Sequence, residues 1–197
     1  MQKLVIASGN ADKLRELQNL LEPLGIELLT QAQLGIAEAE EPHCTFVENA
    51  LAKARNASHV SGLPALADDS GICVAALGGA PGVLSARYAG EPRSDQRNNE
   101  KLLQLMQGVA DRRAYYYCVL VLVRSARDAQ PIIAEGEWHG EIALQASGRN
   151  GFGYDPLFTV PQFGRTSAEL DREVKAQISH RAQALRSLLQ RLDTSPF

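Results

Sequence analysis

Two adjacent carboxylates, Asp68 and Asp69, interrupt an apolar stretch in the middle of the chain and constrain its folding more than any other feature. A short apolar run leads into them, Ser70 follows, and a second apolar run over residues 72–77 ends in the turn residues of 78–82. The pattern predicts that both carboxylates lie at the end of a buried strand. Because unpaired buried charge is strongly disfavoured, we expect a cation, a base or strong hydrogen-bond donors beside them. The alternative is a solvated turn that the aspartates cap.

Length and composition are those of one globular domain. The chain has 197 residues, 45% of them apolar, which is enough for a substantial core. A net charge of −3 argues against a nucleic-acid-binding surface, and no stretch approaches the roughly 18 apolar residues of a membrane span. Three scattered cysteines without a C-x-x-C pair favour reduced thiols over disulfides or a zinc site. We therefore predict a soluble, cytoplasmic protein with a single domain over residues 1–197, which binds neither nucleic acid nor membrane.

The first 25 residues predict a strand, a tight turn and a helix. Residues 3–7 form a β-branched apolar run, which Ser8, Gly9 and Asn10 break. Leucines then recur at helical spacing until Pro23 and Gly25, namely Leu14, Leu17, Leu20, Leu21 and Leu24. A helix N-terminus at this turn would aim backbone N–H groups at a phosphate, and Lys13 would add a mobile positive charge. No P-loop motif is present, and an ordinary strand-to-helix connection is the alternative.

An acidic loop precedes the next helix. Thr45 and Glu48 have the spacing of a capping box, so Glu48 is assigned first to the start of a helix that continues toward Gly62. Glu40 and Glu41 lie in the loop before this cap, where a carboxylate can reach a metal ion. A solvated acidic loop is the commoner outcome for such a run.

The remaining apolar patterns predict a mixed sheet. Residues 114–124 form the strongest strand pattern, rich in aromatic and β-branched residues, and are expected to be central. Residues 26–29 and 131–144 predict further strands, residues 95–109 predict a helix, and Trp138 is assigned to the core. Strands and helices alternate without a strict βαβ order. The expected fold class is therefore α/β with some α+β character and a mixed sheet.

A glycine-rich loop with aromatic side chains occupies residues 147–156. Three of its glycines lie within six residues, next to Phe152 and Tyr154. Glycines let backbone approach a ligand closely, and an aromatic ring beside them offers a stacking face for a base. A flexible turn whose aromatic rings lie in the core is the alternative.

The C-terminal third of the chain predicts helices over residues 168–174 and 180–192, the second capped by Ser179. His180 and Arg181 fall in the first turn of that second helix. Cations there oppose the helix dipole and are poor choices for stability. Residues that break a local rule without an evident gain are candidates for function.

Together these segments favour chemistry on phosphates. The chain combines a phosphate-compatible turn, two acidic pairs, an aromatic glycine loop and a cationic cluster of Lys175, His180 and Arg181. Carboxylates commonly hold Mg²⁺ through one or two oxygens and leave its other positions to water and substrate phosphates. A nearby carboxylate can then orient or deprotonate the attacking water. These residues therefore predict a Mg²⁺-dependent hydrolase of nucleoside phosphates.

Four motifs, in order along nearly the whole chain, resemble those of the inosine/xanthosine triphosphate pyrophosphatases. They read Ser8-Gly-Asn-x-x-Lys13, Ala67-Asp-Asp-Ser-Gly71 continuing to Gly78-Gly-Ala-Pro-Gly82, Phe152-Gly-Tyr-Asp-Pro156, and Ser179-His-Arg181. The resemblance implies two lobes around a long mixed sheet, with the active-site cleft between the lobes. It also implies a homodimer, which nothing in the composition indicates.

The resemblance implies an activity and a set of catalytic residues. This family hydrolyses the α–β phosphate bond of ITP, dITP and XTP to the nucleoside monophosphate and pyrophosphate, which clears deaminated purines from the nucleotide pool. Asp69 would be the general base and a magnesium ligand. Glu40 or Glu41 would supply the second ligand, with Asp68 as a further candidate, and we favour Glu41, which directly precedes Pro42.

The resemblance also implies the substrate contacts. They are Ser8, Gly9, Asn10, Ala11, Asp12, Lys13, Ser70, Phe152, Gly153, Tyr154, Asp155, Lys175, His180 and Arg181. Residues 8–13 would hold the triphosphate, residues 152–155 would pack on the base, and Lys175, His180 and Arg181 would read its edge. The family commonly opens with Thr-Gly-Asn, whereas this chain has Ser8, which keeps the hydroxyl.

Discrimination between bases would follow from hydrogen bonding. Three alternatives to this function remain. Hypoxanthine and xanthine present a 6-oxo acceptor where adenine presents an amino donor, so donors such as Lys175 and Arg181 would favour the former. The alternatives are a pyrophosphatase for other nucleotides, a nucleotide-binding protein without turnover, and a phosphatase that releases inorganic phosphate. Substrate panels and product analysis separate them.

Overall fold

The computed structural model describes residues 3–21 and 25–194, which form seven strands and five α-helices. The strands are β1 (Lys3–Ala7), β2 (Glu27–Thr30), β3 (Ala65–Val74), β4 (Arg113–Val123), β5 (Ile132–Ile142), β6 (Phe158–Val160) and β7 (Arg165–Thr166). The helices are α1 (Ala11–Leu21), α2 (Phe46–Ser61), α3 (Asp95–Leu105), α4 (Arg172–Ile178) and α5 (His180–Thr194). None of these described helices is long and apolar enough to cross a membrane.

The seven strands form one mixed sheet in the order β2-β1-β3-β4-β5-β6-β7. β1 pairs in parallel with both β2 and β3, with Val5 opposite Leu29 and Ala65. β6 pairs antiparallel with β5 and β7, with Ile142 opposite Phe158. The α/β class with a mixed sheet is thus confirmed, and β4 is the middle strand, as its apolar pattern predicted.

The chain divides into two compact units, the first of which comprises residues up to Asp69, Cys118–Gly136 and Ala184 onward. Its core is built from apolar side chains that include those of β1, β3, β4 and the helices α1 and α5. Those with at most 2% of their surface exposed include Leu4, Ile6, Leu17, Leu21, Leu66, Leu120, Leu122, Leu185 and Leu188. Leu17 and Leu21 of α1 lie in this core and Leu14 packs against it, as their helical spacing predicted.

The second unit comprises Ser70–Tyr117 and Glu137–Gln183. Aromatic side chains dominate its core. The Tyr116 ring lies 4.7 Å from the Phe158 ring and 6.3 Å from the Trp138 ring, centroid to centroid. Only 4% of Trp138 is exposed, so its assignment to the core is confirmed.

Both predicted helix caps are present. Thr45 has extended backbone at the N-cap of α2 and accepts a hydrogen bond from the Glu48 amide, and Gly62 ends the helix with a left-handed φ of 69°. Ser179 caps α5 by accepting from the Ala182 amide at 3.3 Å. Glu48 therefore has the structural role predicted for it.

Three expectations about segments are corrected. β3 does not end at the carboxylates but continues to Val74, because the apolar run after Ser70 is part of the same strand. Residues 168–174 are not one helix, since a short 3-10 helix ends at Glu169 and α4 begins at Arg172. The helix predicted over residues 95–109 ends at Leu105. Residues 131–144, for which one or two strands were expected, contain one. Of the two predicted stops of the first helix, Pro23 lies outside the described residues, as does Leu24, and Gly25 has a left-handed φ of 68°.

Candidate active site

Asp68 and Asp69 lie inside β3 and are almost fully buried, with 1% and 7% of their surface exposed. Successive side chains of a strand point to opposite faces, so the two carboxylates meet different partners. Asp68 Oδ2 lies 2.9 Å from the Nζ atom of Lys13 on α1. Asp69 lies against α2. A cation therefore accompanies the buried carboxylates, as their burial required.

Lys53 of α2 joins two carboxylates that are far apart in the sequence. Its Nζ atom lies 2.6 Å from Glu41 Oε1 and 3.6 Å from Asp69 Oδ1. Burial favours the neutral amine, but Asp69, Asp68 and Glu41 together outweigh this effect, and the pKa of Lys53 is raised. The side chain is thus a buried, charged ammonium that holds the acidic loop against the strand.

The acid–base behaviour of Asp69 is set by its burial. Loss of water raises the pKa of Asp69, Lys53 and Lys13 oppose this effect, and Glu41 and Asp68 add to it. The pKa of the carboxyl lies above its ordinary value as a result. A raised carboxyl pKa is one property of a general base that works near neutral pH.

Asn49 lies one turn before Lys53 on α2 and links the same parts of the protein. Its Nδ2 donates to the His43 carbonyl at 3.2 Å and to Asp69 Oδ2 at 3.4 Å, and its Oδ1 accepts from the His43 amide at 3.0 Å. Only 1% of Asn49 is exposed. This buried amide fixes both the loop that carries Glu41 and the orientation of Asp69.

The turn after β1 differs from the open phosphate loop that was expected. Asn10 caps α1: its Oδ1 accepts from the Asp12 amide at 2.9 Å and from the Lys13 amide at 3.1 Å. These two N–H groups are therefore satisfied within the protein. Lys13 is not the mobile charge that was predicted, because Asp68 holds it. Ser8 is buried and accepts from the Asn10 amide at 3.3 Å, while Ala11 opens the helix.

Glu38, which was not among the ligand candidates, brings the acidic loop to the turn at Gly9. A Cβ atom on Gly9 would overlap the carboxylate of Glu38, so glycine allows that carboxylate to lie directly on the turn. Glu41 is half-buried on Lys53, whereas Glu40 is exposed. Of the two predicted glutamate ligands, the structure brings Glu41 into the carboxylate cluster.

The donor set fits a magnesium ion that a polyphosphate helps to hold. Within residues 3–21 and 25–194, no three acidic, histidine or cysteine side chains lie close enough to hold a metal ion by themselves. Asp69 and Glu41 nevertheless flank one cation, the ammonium of Lys53. Mg²⁺ prefers such carboxylate oxygens and commonly takes only one or two of them, with water and phosphate completing its shell.

In the second unit, Asp155 collects three donors and brings predicted base-binding residues together. Its Oδ2 accepts from Lys175 Nζ at 2.5 Å and from the Phe152 amide at 2.9 Å, and its Oδ1 accepts from Ser167 Oγ at 2.7 Å. Lys175 Nζ also lies 5.1 Å from the centroid of the Phe152 ring. Tyr154 is buried in the core, whereas Phe152 is only half-buried. The core interpretation of the aromatic loop thus holds for Tyr154, and stacking of Phe152 on a base stays a prediction.

His180 and Arg181 open α5 and are buried, with 6% and 2% of their surface exposed. The Arg181 Nη2 atom donates to Ser70 Oγ at 3.1 Å. The His180 ring stacks on Tyr116 with centroids 4.7 Å apart and planes 10° from parallel. A buried arginine in the first turn of a helix opposes the helix dipole and is unfavourable for the fold alone, so Arg181 stays a candidate for function.

Sequence reasoning missed Lys53 and Asn49. It also missed Asp95 and Asn99 of α3, which hydrogen-bond to Gly153 in the aromatic loop. A signal for the first two was present: they stand four residues apart on the face of α2 that otherwise carries the buried Ala50, Ala54 and Ala57. A polar pair on a helix face of small buried residues indicates a polar partner in the core. Which carboxylates it meets depends on long-range packing.

Known proteins match the chain over nearly its full length. The Ham1 family model matches residues 4–191. A dITP/XTP pyrophosphatase of Nitrosomonas europaea is 64% identical over 192 residues, which cover 98% of this chain and 95% of that protein. One of Aromatoleum aromaticum is 62% identical over 195 residues, covering 99% and 98%.

Solved structures give the same result. A HAM1 protein from Coxiella burnetii has a TM-score of 0.94 and 47% identity, and the match covers 99% of this chain and 100% of that one. The Staphylococcus aureus Ham1 protein has a TM-score of 0.89 and 39% identity, covering 98% and 99%. The resemblance first found in four motifs is confirmed along the whole fold, and the chain belongs to the Ham1 family.

Proposed function

We propose that the protein hydrolyses dITP, ITP and XTP in the presence of Mg²⁺ and releases the nucleoside monophosphate and pyrophosphate. The observation that carries the proposal is the pair of buried carboxylates in β3, each beside a lysine, with Lys53 shared between Asp69 and Glu41. The relatives named dITP/XTP pyrophosphatase supply the substrate class. We further propose that the enzyme acts in the cytoplasm as a homodimer of its 21.4 kDa chain, which light scattering in solution would test.

In this proposal, Asp69 is the general base. Its carboxylate takes a proton from the attacking water, the water oxygen bonds to the α-phosphorus, and the bond from that phosphorus to the bridging oxygen breaks, so that pyrophosphate leaves. Lys53 and Asn49 hold the Asp69 carboxylate in place. Asp69 and Glu41 would hold Mg²⁺, which would neutralise charge on the phosphates. Lys13 would supply positive charge to the triphosphate near its contact with Asp68.

The residues of the second unit would recognise the base. Phe152 would offer its ring for stacking, and Lys175, fixed by Asp155, would donate to the 6-oxo group. Arg181 and His180 would contribute further hydrogen bonds at the edge of the base. Adenine presents a donor at the same position, so binding it would leave buried donors facing a donor, which is strongly unfavourable.

A product assay with Mg²⁺ on dITP, ITP, XTP, GTP and ATP tests the proposal. We expect pyrophosphate and monophosphate from the first three only. Asp69→Asn keeps the shape of the side chain but removes its basicity, and should lower kcat by at least about 100-fold. Asp111→Asn is the matched control, because Asp111 is ion-paired with Arg113 on the surface, and its activity should be unchanged.

Other outcomes would favour the alternatives. Pyrophosphate from the ordinary nucleotides as well would keep the reaction and discard the purine-reading roles of Lys175, His180 and Arg181. Inorganic phosphate as the sole product would make the protein a phosphatase. Tight nucleotide binding without turnover in the wild type would make it a binding protein.

A further inference from the structure

The backbone of Gly153, the residue that follows Phe152, is held at both its amide and its carbonyl by one helix. The Gly153 amide donates to Asp95 Oδ2 at 2.7 Å, and the Gly153 carbonyl accepts from Asn99 Nδ2 at 2.9 Å. Asp95 and Asn99 stand four residues apart on α3 and therefore on the same face of it. We name this pair the α3 clamp. No motif in the sequence indicated it.

The helix that carries the α3 clamp is itself firmly anchored. Asn98, 2% exposed, accepts from the Ala89 amide at 2.7 Å and donates to the carbonyls of Ser85 and Ala86 at 3.3 and 3.1 Å. Tyr154 donates its hydroxyl to the same Ser85 carbonyl at 2.8 Å. The helix and the aromatic loop thus share one rigid support, so the clamp transmits the position of α3 to the loop.

The loop depends on this support for its conformation. Gly153 has a φ of 61°, a left-handed conformation that glycine adopts freely but does not by itself hold, because its backbone has more conformational freedom than that of other residues. The preceding residue, Phe152, is tied at its amide to Asp155. With the amide and the carbonyl of Gly153 also fixed, the Phe152 ring has a defined place beside Lys175.

We propose that Asp95 and Asn99 are positioning residues for base specificity. By fixing the Gly153 peptide they hold the Phe152 ring and the Asp155–Lys175 pair in register, so that a 6-oxopurine is stacked where the lysine can donate to it. Neither residue needs to contact the substrate. This inference rests on the proposed function, since it assigns the basis of discrimination at that same site.

Three variants and a matched control test the clamp. Asn99→Asp keeps the shape but replaces the donor to the Gly153 carbonyl by an acceptor, and Asp95→Ala removes the acceptor for its amide. Asp95→Asn retains an acceptor oxygen for the Gly153 amide and should keep the specificity of the wild type. Gln96→Ala is the control, because Gln96 lies on the exposed side of α3 and bonds only to Glu100 among the described contacts.

The first readout is the ratio of kcat/KM for dITP to that for dATP. We expect the ratio to fall about tenfold in Asn99→Asp and Asp95→Ala, mainly through a higher KM for dITP. Asp95→Ala loses a hydrogen bond to a charged group, and Asn99→Asp sets a carboxylate against the Gly153 carbonyl in place of a donor. Asp95→Asn and Gln96→Ala should keep the wild-type ratio. The second readout is amide hydrogen exchange at Gly153, which should accelerate in the first two variants only.

The possible outcomes distinguish a failure of the α3 clamp from a failure of the proposed function. A wild type that discriminates, together with an Asn99→Asp variant that melts normally and discriminates equally well, would overturn the role of the clamp. Unchanged exchange at Gly153 in both disabled variants would overturn it as well. A wild type without dITP turnover would defeat the proposed function and the specificity role with it, while the exchange data would still show whether α3 holds the peptide.

Discussion

Replacing Lys53 by methionine should lower the free energy of unfolding by about 3 kcal/mol at pH 7 without metal, because it removes the cation that Glu41 and Asp69 share. Methionine matches the length and apolar stem of lysine, so packing changes little. The lost interaction is the ammonium between Glu41 and Asp69, of which 14% is exposed.

The magnitude follows from the geometry. At an effective dielectric constant of about 20, the attraction is about 6 kcal/mol across the 2.6 Å to Glu41 and about 5 kcal/mol across the 3.6 Å to Asp69. Much of this is offset by the cost of removing the ammonium from water. Loss of one partner of a buried pair typically costs 3–5 kcal/mol, and we place the value at about the lower end because Asp69 can take up a proton.

The loss of stability in Lys53→Met should depend on pH in a definite direction. Folding raises the pKa of Lys53, so its contribution is complete below its ordinary value of 10.5 and is lost only as the pH rises through the folded pKa. At the acid end, folding raises the pKa of Asp69 above 3.8, so this carboxyl takes up a proton as the pH falls toward that value. The difference between the variant and the wild type should therefore be largest near pH 7 and shrink near pH 4.

Urea unfolding in EDTA at pH 7 and pH 4 measures this effect. Lys53→Arg keeps the charge and should lose less than half as much stability. Lys3→Met is the matched control, since Lys3 forms an exposed pair with Glu27 at 3.4 Å, and such pairs contribute about 0–1 kcal/mol. An equal loss at the two pH values, or a loss no larger than that of the control, would refute the reasoning.

Two further substitutions test other parts of the structure. Gly140→Ala would drive a methyl group into the Thr159 carbonyl and the Phe158 ring, and should destabilise the protein by about 1–3 kcal/mol; an unchanged urea midpoint would contradict the packing described for this unit. Arg181→Ala should lower the preference for dITP over dATP about tenfold, since it removes a charged donor. Steady-state kinetics that show an unaltered preference would remove Arg181 from base recognition.

Local signals in the sequence predicted much of the fold. The capping box at Thr45, the left-handed stop at Gly62 and the apolar run that became β4 each depend on interactions within a few residues. By contrast, β6 and β7 have three and two residues, and their pairing is set by partners elsewhere in the sheet. Segments that short carry too little periodicity to be recognised.

The sequence pointed to carboxylates of the candidate site, but it missed Lys53 and Asn49 and did not indicate the contacts. Burial of Asp68 and Asp69 implied a counter-ion, yet the chain has 20 lysines and arginines, and only the folded structure shows which ones serve. The expected free amides at the start of α1 were wrong because Asn10 satisfies them from within. Its side chain had been assigned to the ligand, whereas a helix cap was an equally local role for it.

The continuity of β3 determines where this fold tolerates insertions and deletions of residues. One residue inserted before Asp68 would turn every later side chain of the strand to the opposite face. Lys13 would then lose Asp68, and Arg181 would lose Ser70, in a single event. An insertion in the exposed turn at residues 161–164 disturbs no such pairing. Insertions and deletions among relatives should therefore accumulate in turns of that kind and be absent from Ala65–Val74.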